Sequence, residues 1–194
     1  MNAMQNYYKH ALLNGLCSDY KGRWQVAMKD NEKLFNLAMC QQSLPHMCTY
    51  AYNGEGLTME YIEQQFGDFI NGKYTAIDAD GVNGNYKTQM YVGYSAHLSL
   101  SNDVTAFLWC DIPTIQFEAT RAEKIYVACK SKVNISCDGY NNIIVMLFDE
   151  SEIVLDEIDE DSSVFIYRYS SEAKVTTGKY CFGKVKIFEK ELVL

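Results

Sequence analysis

Proline is almost missing from this sequence: Pro45 and Pro113 are the only two in 194 residues. That excludes a proline-rich linker or stalk. Histidine is nearly as scarce. An imidazole base or metal ligand has to come from His10, His46 or His97. No run approaches the roughly 18 apolar residues of a membrane-spanning helix. The first ten residues, Met1-Asn-Ala-Met-Gln-Asn-Tyr-Tyr-Lys-His10, lack the basic start and apolar stretch of a secretory leader. Walker, G-x-G-x-x-G and G-x-S-x-G motifs are all absent. Cysteine is present, but not in a pattern. Cys17, Cys40, Cys48, Cys110, Cys129, Cys137 and Cys181 make an odd count, and no two have C-x-x-C spacing. That points to free thiols used as small hydrophobes in a reducing compartment. Positive charge is short too, with 17 Lys+Arg against 25 Asp+Glu. A net charge of −8 weighs against a dedicated nucleic-acid binder.

Apolar side chains supply 48% of the residues, enough for a packed interior, and tyrosine is frequent at 15 copies. Tyrosine suits half-buried strands and subunit interfaces. The chain divides into unlike halves. The pattern predicts an α+β protein, with a helical module over residues 1–73 and a β-rich module over 74–194. In the first, Tyr7, Tyr8, Ala11, Leu12 and Leu16 form one stripe at helical spacing. Gly22 interrupts, and a second apolar pattern runs from Trp24 to Met39. Pro45 should end or kink it. Thr58 is a candidate N-cap for a helix from Met59 to Ile70, which Asn71-Gly72 would close.

From Lys73 onward the period drops to two. Tyr74–Ile77 and Tyr86–Tyr94 alternate like strands around a turn at Asp78–Asn85. His97–Leu100, Val104–Trp109 and Ile115–Phe117 are shorter strand candidates, and Pro113 places its segment at an edge or in a loop. The last third repeats one pattern six times: a small or polar residue, any residue, then a β-branched one. The copies start at Ser131, Asn142, Ser151, Ser162, Ala173 and Gly183. Their β-branched positions, Val133, Ile144, Ile153, Val164, Val175 and Val185, are 11, 9, 11, 11 and 10 residues apart. A short solenoid-like stack and an antiparallel sandwich both give this rhythm. The constant phase of the small residue favours the stack.

Charge is uneven. Residues 138–161 hold nine acidic side chains and no Lys or Arg, whereas 162–194 hold six basic and three acidic ones. This suits either a solvated acidic face or an acidic edge that meets a neighbour's basic edge. Chemistry is harder to find. Asp78-x-Asp80-Gly-x-Asn83-Gly-Asn85 fails the calcium-loop pattern at Val82, Asn83 and Gln89 and reads as a turn. Cys40, His46 and Cys48 lack the paired spacing of a zinc site. Glu60 and Glu63 share a helix face and read as solvated charges. No catalytic residue, metal or cofactor is expected. The candidate interface residues are the stripe of Tyr7, Tyr8 and Leu12 and the acidic Asp156, Glu157, Asp159 and Glu160. Tyr126, Tyr140, Tyr167 and Tyr169 could serve a second reading, a cytosolic protein- or carbohydrate-binding module of a gut bacterium.

Ser151-Glu-Ile-Val-Leu155, Ser162-Ser-Val-Phe-Ile-Tyr-Arg-Tyr169 and Glu172-Ala-Lys-Val-Thr176 resemble short strand repeats in proteins of Bacteroides-type bacteria and their phages. In the first half, Leu37–His46, Gly54–Tyr61 and Phe69–Gly72 are similar in style to small head–tail connector or ring proteins of tailed phages. The resemblance implies a non-enzymatic virion subunit assembled in the bacterial cytoplasm. It would form a ring of its own copies and contact a portal or tail protein. No nucleic acid, membrane or cofactor is implied as a partner.

Overall fold

The computed structural model describes residues 3–13, 18–38, 48, 58–66, 75–77, 87–100, 103–117 and 122–191. Among the described residues, the helices whose bounds are defined come first: α1 (Ala3–Leu13), α2 (Ser18–Ala27), α3 (Asn31–Ala38) and α4 (Met59–Phe66). Gly22 lies inside α2, so it does not break the pattern. The break falls at Met28–Asp30, because Asp30 caps α3. Its Oδ1 accepts the N–H groups of Glu32 (3.1 Å) and Lys33 (3.2 Å). Thr58 caps α4 as the sequence predicts: its Oγ1 accepts the N–H of Tyr61 at 3.2 Å. The predicted turn at Asp78–Asn85 lies outside the described residues.

Among the described residues twelve strands follow: β1 (Thr75–Ile77), β2 (Lys87–Val92), β3 (Leu98–Leu100), β4 (Val104–Leu108), β5 (Asp111–Phe117), β6 (Ala122–Ala128), β7 (Lys132–Cys137), β8 (Asn142–Leu147), β9 (Glu152–Ile158), β10 (Ser163–Arg168), β11 (Lys174–Cys181) and β12 (Lys184–Glu189). Even-numbered strands from β2 to β12 pair in parallel as one sheet, and β1 joins it antiparallel on β2. Odd-numbered strands from β3 to β11 form a second parallel sheet. We call them sheet A and sheet B. The chain alternates between the two, which makes a parallel β-solenoid of about five turns. Each 9–11-residue repeat in the sequence is therefore half a turn, and successive copies fall on opposite sheets.

Side chains stack by turn. Ile143, Val164 and Val185 are in register on β8, β10 and β12. Val133, Ile153 and Val175 are in register on β7, β9 and β11. Together with Ile125, Val145, Leu147, Leu155 and Ile166 they fill the core between the sheets. Full burial of one such side chain is worth roughly 1.5–3 kcal/mol. The frame of one copy differs from the sequence expectation. Ile143 is buried and Ile144 faces outward, so that repeat starts at Asn141 rather than Asn142. On the outside of sheet B, Asp111, Lys132, Glu152 and Lys174 stand in register with alternating sign. Such an arrangement favours this pairing over a slipped one. Pro113 lies within β5, exposed, where the pairing with β7 is bulged.

The small repeat residues occupy the two corners of the coil, where polar groups have to be satisfied without water. At one corner the Cys110 N–H donates to Ser131 Oγ at 3.0 Å. One turn on, the Ser131 N–H donates to Ser151 Oγ at 3.1 Å. At the other corner the Asn141 N–H donates to Ser162 Oγ at 3.2 Å, and the Ser162 hydroxyl donates to the Gly139 carbonyl. Gly183 completes this second series. A Cβ there would lie 2.5 Å from Ile158 Cγ2 and 2.7 Å from the Asp159 carbonyl. The first corner bends through left-handed residues in successive turns: Gly93, Trp109, Cys129 with Lys130, and Asp149, with φ between 45° and 62°.

The helices cover the outer face of sheet A. Trp24, Leu34, Phe35, Ile62 and Phe66 share a second core with Met90, Ala106, Leu108, Tyr126 and Phe148. Both faces of the central strands of sheet A are therefore apolar.

Candidate interaction surface at the C-terminal turns

The packing that closes the earlier turns runs out at β11 and β12. Ile166 is fully buried, yet its in-register successor Ile187 is 47% exposed. Among the described residues β12 pairs only with β10, and β11 only with β9, so each carries an unpaired edge. Lysines at 184 and 186 line the edge strand of sheet A, a common restraint on indiscriminate strand pairing. Arg168 ties β12 down through a two-pronged ion pair with Glu189, at 3.0 and 2.6 Å.

Two chemically different patches flank this end. On the outer face of sheet A, Ile144, Phe165 and Lys186 form one row, and Met146, Tyr167 and Phe188 the next. Tyr167 and Phe188 stack at 5.2 Å between ring centroids. Lys190 Nζ stands 5.5 Å from the Tyr167 ring centre. Phe188 is 38% exposed. The second patch lies beside the Asn141–Ser162–Gly183 corner, on the sheet B side. Asp138, Glu157, Asp159, Tyr180 and Phe182 surround a cleft of about 260 Å³ floored by Ile158. Tyr180 and Phe182 are 51% and 69% exposed. An apolar floor weakens water's screening of the carboxylates above it.

Several residues singled out from the sequence take defined places. Tyr8 stacks on Trp24 at 5.8 Å and, with Leu12, packs against the helix–sheet core. Tyr7 belongs to α1, but its side chain lies outside the described residues. Asp156, Glu157 and Glu160 are exposed, and Asp159 is half-buried with Oδ1 accepting the Asp161 N–H at 2.9 Å. Asp149, part of the same acidic run, is no surface charge: it is fully buried. Its carboxylate accepts the N–H groups of Cys129 (2.5 Å) and Ser151 (2.7 Å) and the Ser151 hydroxyl (2.5 Å). Of the four tyrosines proposed for ligand stacking, Tyr126 is buried under the helices, and Tyr169 stacks on Phe148 at 5.0 Å. Tyr140 is 58% exposed.

Glu60 and Glu63 are exposed on α4, and His97 is exposed just before β3. Cys40, His46 and the Asp78–Asn85 stretch lie outside the described residues. Among the described residues no three His, Cys, Asp or Glu side chains converge as metal ligands, and no helix is long and apolar enough to cross a membrane. Cys48, Cys129, Cys137 and Cys181 all have their thiol pKa raised by burial, and that of Cys110 is pushed up to about 11. Such thiols stay protonated at neutral pH and pack as small hydrophobes. The aromatic residues at the exposed end, Tyr180, Phe182 and Phe188, were not singled out from the sequence. The available signal was their place in or beside the last two repeats, at positions the repeat pattern leaves free. No family model matches this chain, and no curated protein or solved structure matches it either.

Proposed function

We propose that this chain is a non-enzymatic assembly subunit that docks to its neighbours through the last two turns of its solenoid. The observation that carries this reading is the set of exposed large apolar side chains on and between the last two strands, Tyr180 and Phe182 on the sheet B side and Ile187 and Phe188 on β12, beside two strand edges unpaired among the described residues. Exposed apolar groups clustered and rimmed by charge favour protein contact. The setting implied by the sequence resemblance is the virion of a tailed phage, with the subunit in a head–tail connector, ring or tail. The alternative of a carbohydrate-binding face has less support. A sugar platform needs several open ring faces, whereas Tyr126 is buried, Tyr167 is engaged by Phe188 and Lys190, and Tyr169 by Phe148, which leaves Tyr140 as the strongly exposed one of the four.

Native mass spectrometry of the purified protein, alone and with a candidate portal ring, tests this reading. A discrete oligomer, or stoichiometric docking on the portal, is expected. A monomer that ignores the portal at every concentration would overturn it.

A further inference from the structure

We infer that the neighbour is a second copy of this chain, held head to tail: the basic aromatic patch of one copy seats against the acidic aromatic cleft of the next. The inference rests on the assembly reading above and names its partner. Three observations support it.

The first is charge complementarity. Lys186 and Lys190 flank Phe188 on one patch. Asp138, Glu157 and Asp159 line the other. The second is the chemistry of the cleft, which combines carboxylates with exposed aromatic rings. One of those rings, Tyr180, already has an ammonium of its own chain beside it, Lys179 Nζ at 5.5 Å from the ring centre. An incoming lysine would find carboxylates, aromatic rings and an apolar floor together, where both the ion pair and the cation–π contact gain from desolvation. The third is placement. The basic patch is on the outer face of sheet A, whereas the cleft lies beside the Asn141–Ser162–Gly183 corner on the sheet B side. The two patches therefore lie on different faces of the coil. Unlike patches on different faces suit a heterologous contact, which propagates as a ring or a filament.

The test is a charge swap read by sedimentation velocity. One variant carries Lys186→Glu with Lys190→Glu, and the other Asp138→Lys with Glu157→Lys. Asp159 is left alone because it holds its own turn. All four sites are exposed, and circular dichroism checks that each variant keeps its fold. Wild type is expected to associate in about 0.05 M salt and to dissociate near 1 M, where the screening length falls to roughly 3 Å. Each variant alone should associate on the order of tenfold or more weakly. Mixing the two variants in equal amounts should restore association, because each supplies the patch the other lacks. Wild-type assembly that neither variant weakens, or a mixture that stays monomeric, would overturn the head-to-tail contact and leave the assembly reading standing. Wild type that is monomeric alone yet docks on a portal would do the same. Wild type that does neither would sink both.

Discussion

Replacing Asp149 with alanine is expected to lower the unfolding free energy by about 2–4 kcal/mol, since buried donors left without an acceptor cost roughly 1–3 kcal/mol each. The carboxylate accepts from Cys129 and Ser151 of two successive turns, and both amides are enclosed at the corner. Asp149 also adopts a left-handed φ of 45°, which aspartate tolerates better than alanine. Asp149→Asn keeps one oxygen and should lose about half as much. Burial raises the Asp149 pKa above its ordinary 3.8, against the pull of the Ser151, Lys130 and Cys129 hydrogen bonds. The folded state thus binds this proton more tightly than the unfolded chain does. The stabilisation is fully present below the ordinary value and is lost as pH rises through the folded one. Urea unfolding over that window should show the advantage of wild type over Asp149→Asn shrinking as pH rises. An alanine variant as stable as wild type would contradict the corner's role.

The second large effect separates neighbouring residues. Ile143→Ala should cost about 2–5 kcal/mol, because it opens a cavity in the close-packed core between the sheets. Ile144→Ala should cost about 1 kcal/mol, because that side chain is only half-buried on the outer face. A period of two makes the contrast sharp: moving the frame by one residue sends every side chain to the other face. Equilibrium unfolding of both variants checks it. Equal losses, or a larger loss at Ile144, would mean that β8 is paired in the other frame.

The same pair shows what was legible in the sequence. Where one face of a strand is polar, as in Lys132-Val-Asn-Ile135 or Lys174-Val-Thr, alternation identified the strand and its inward residues. β8 reads Ile143-Ile-Val-Met-Leu147, apolar on both faces, and Asn141-Asn142 offers two starting points for the repeat. β6, with Ile125-Tyr-Val-Ala128, shows no clear alternation for the same reason. Both strands carry apolar residues outward because the helices pack on that side of sheet A, a tertiary fact that local period cannot report. Spacing suggested a stack but not its geometry, since two half-turns on opposite sheets produce the same rhythm as one short turn. The candidate surface was legible only as a charge imbalance. Which carboxylates face outward depended on the coil, and it separates buried Asp149 from exposed Asp156 and Glu157.

The central claim is that this chain associates through its last solenoid turns, and amide hydrogen exchange in the dilute and the assembled protein tests it most directly. Unpaired edges and half-exposed rungs exchange through local opening, so contact there should slow it. The account predicts protection gained on assembly in β10, β11 and β12 and around Asp138 and Asp159, with α1–α4 unchanged. Protection gained only in the helices, or assembly with no change in β11 and β12, would contradict it.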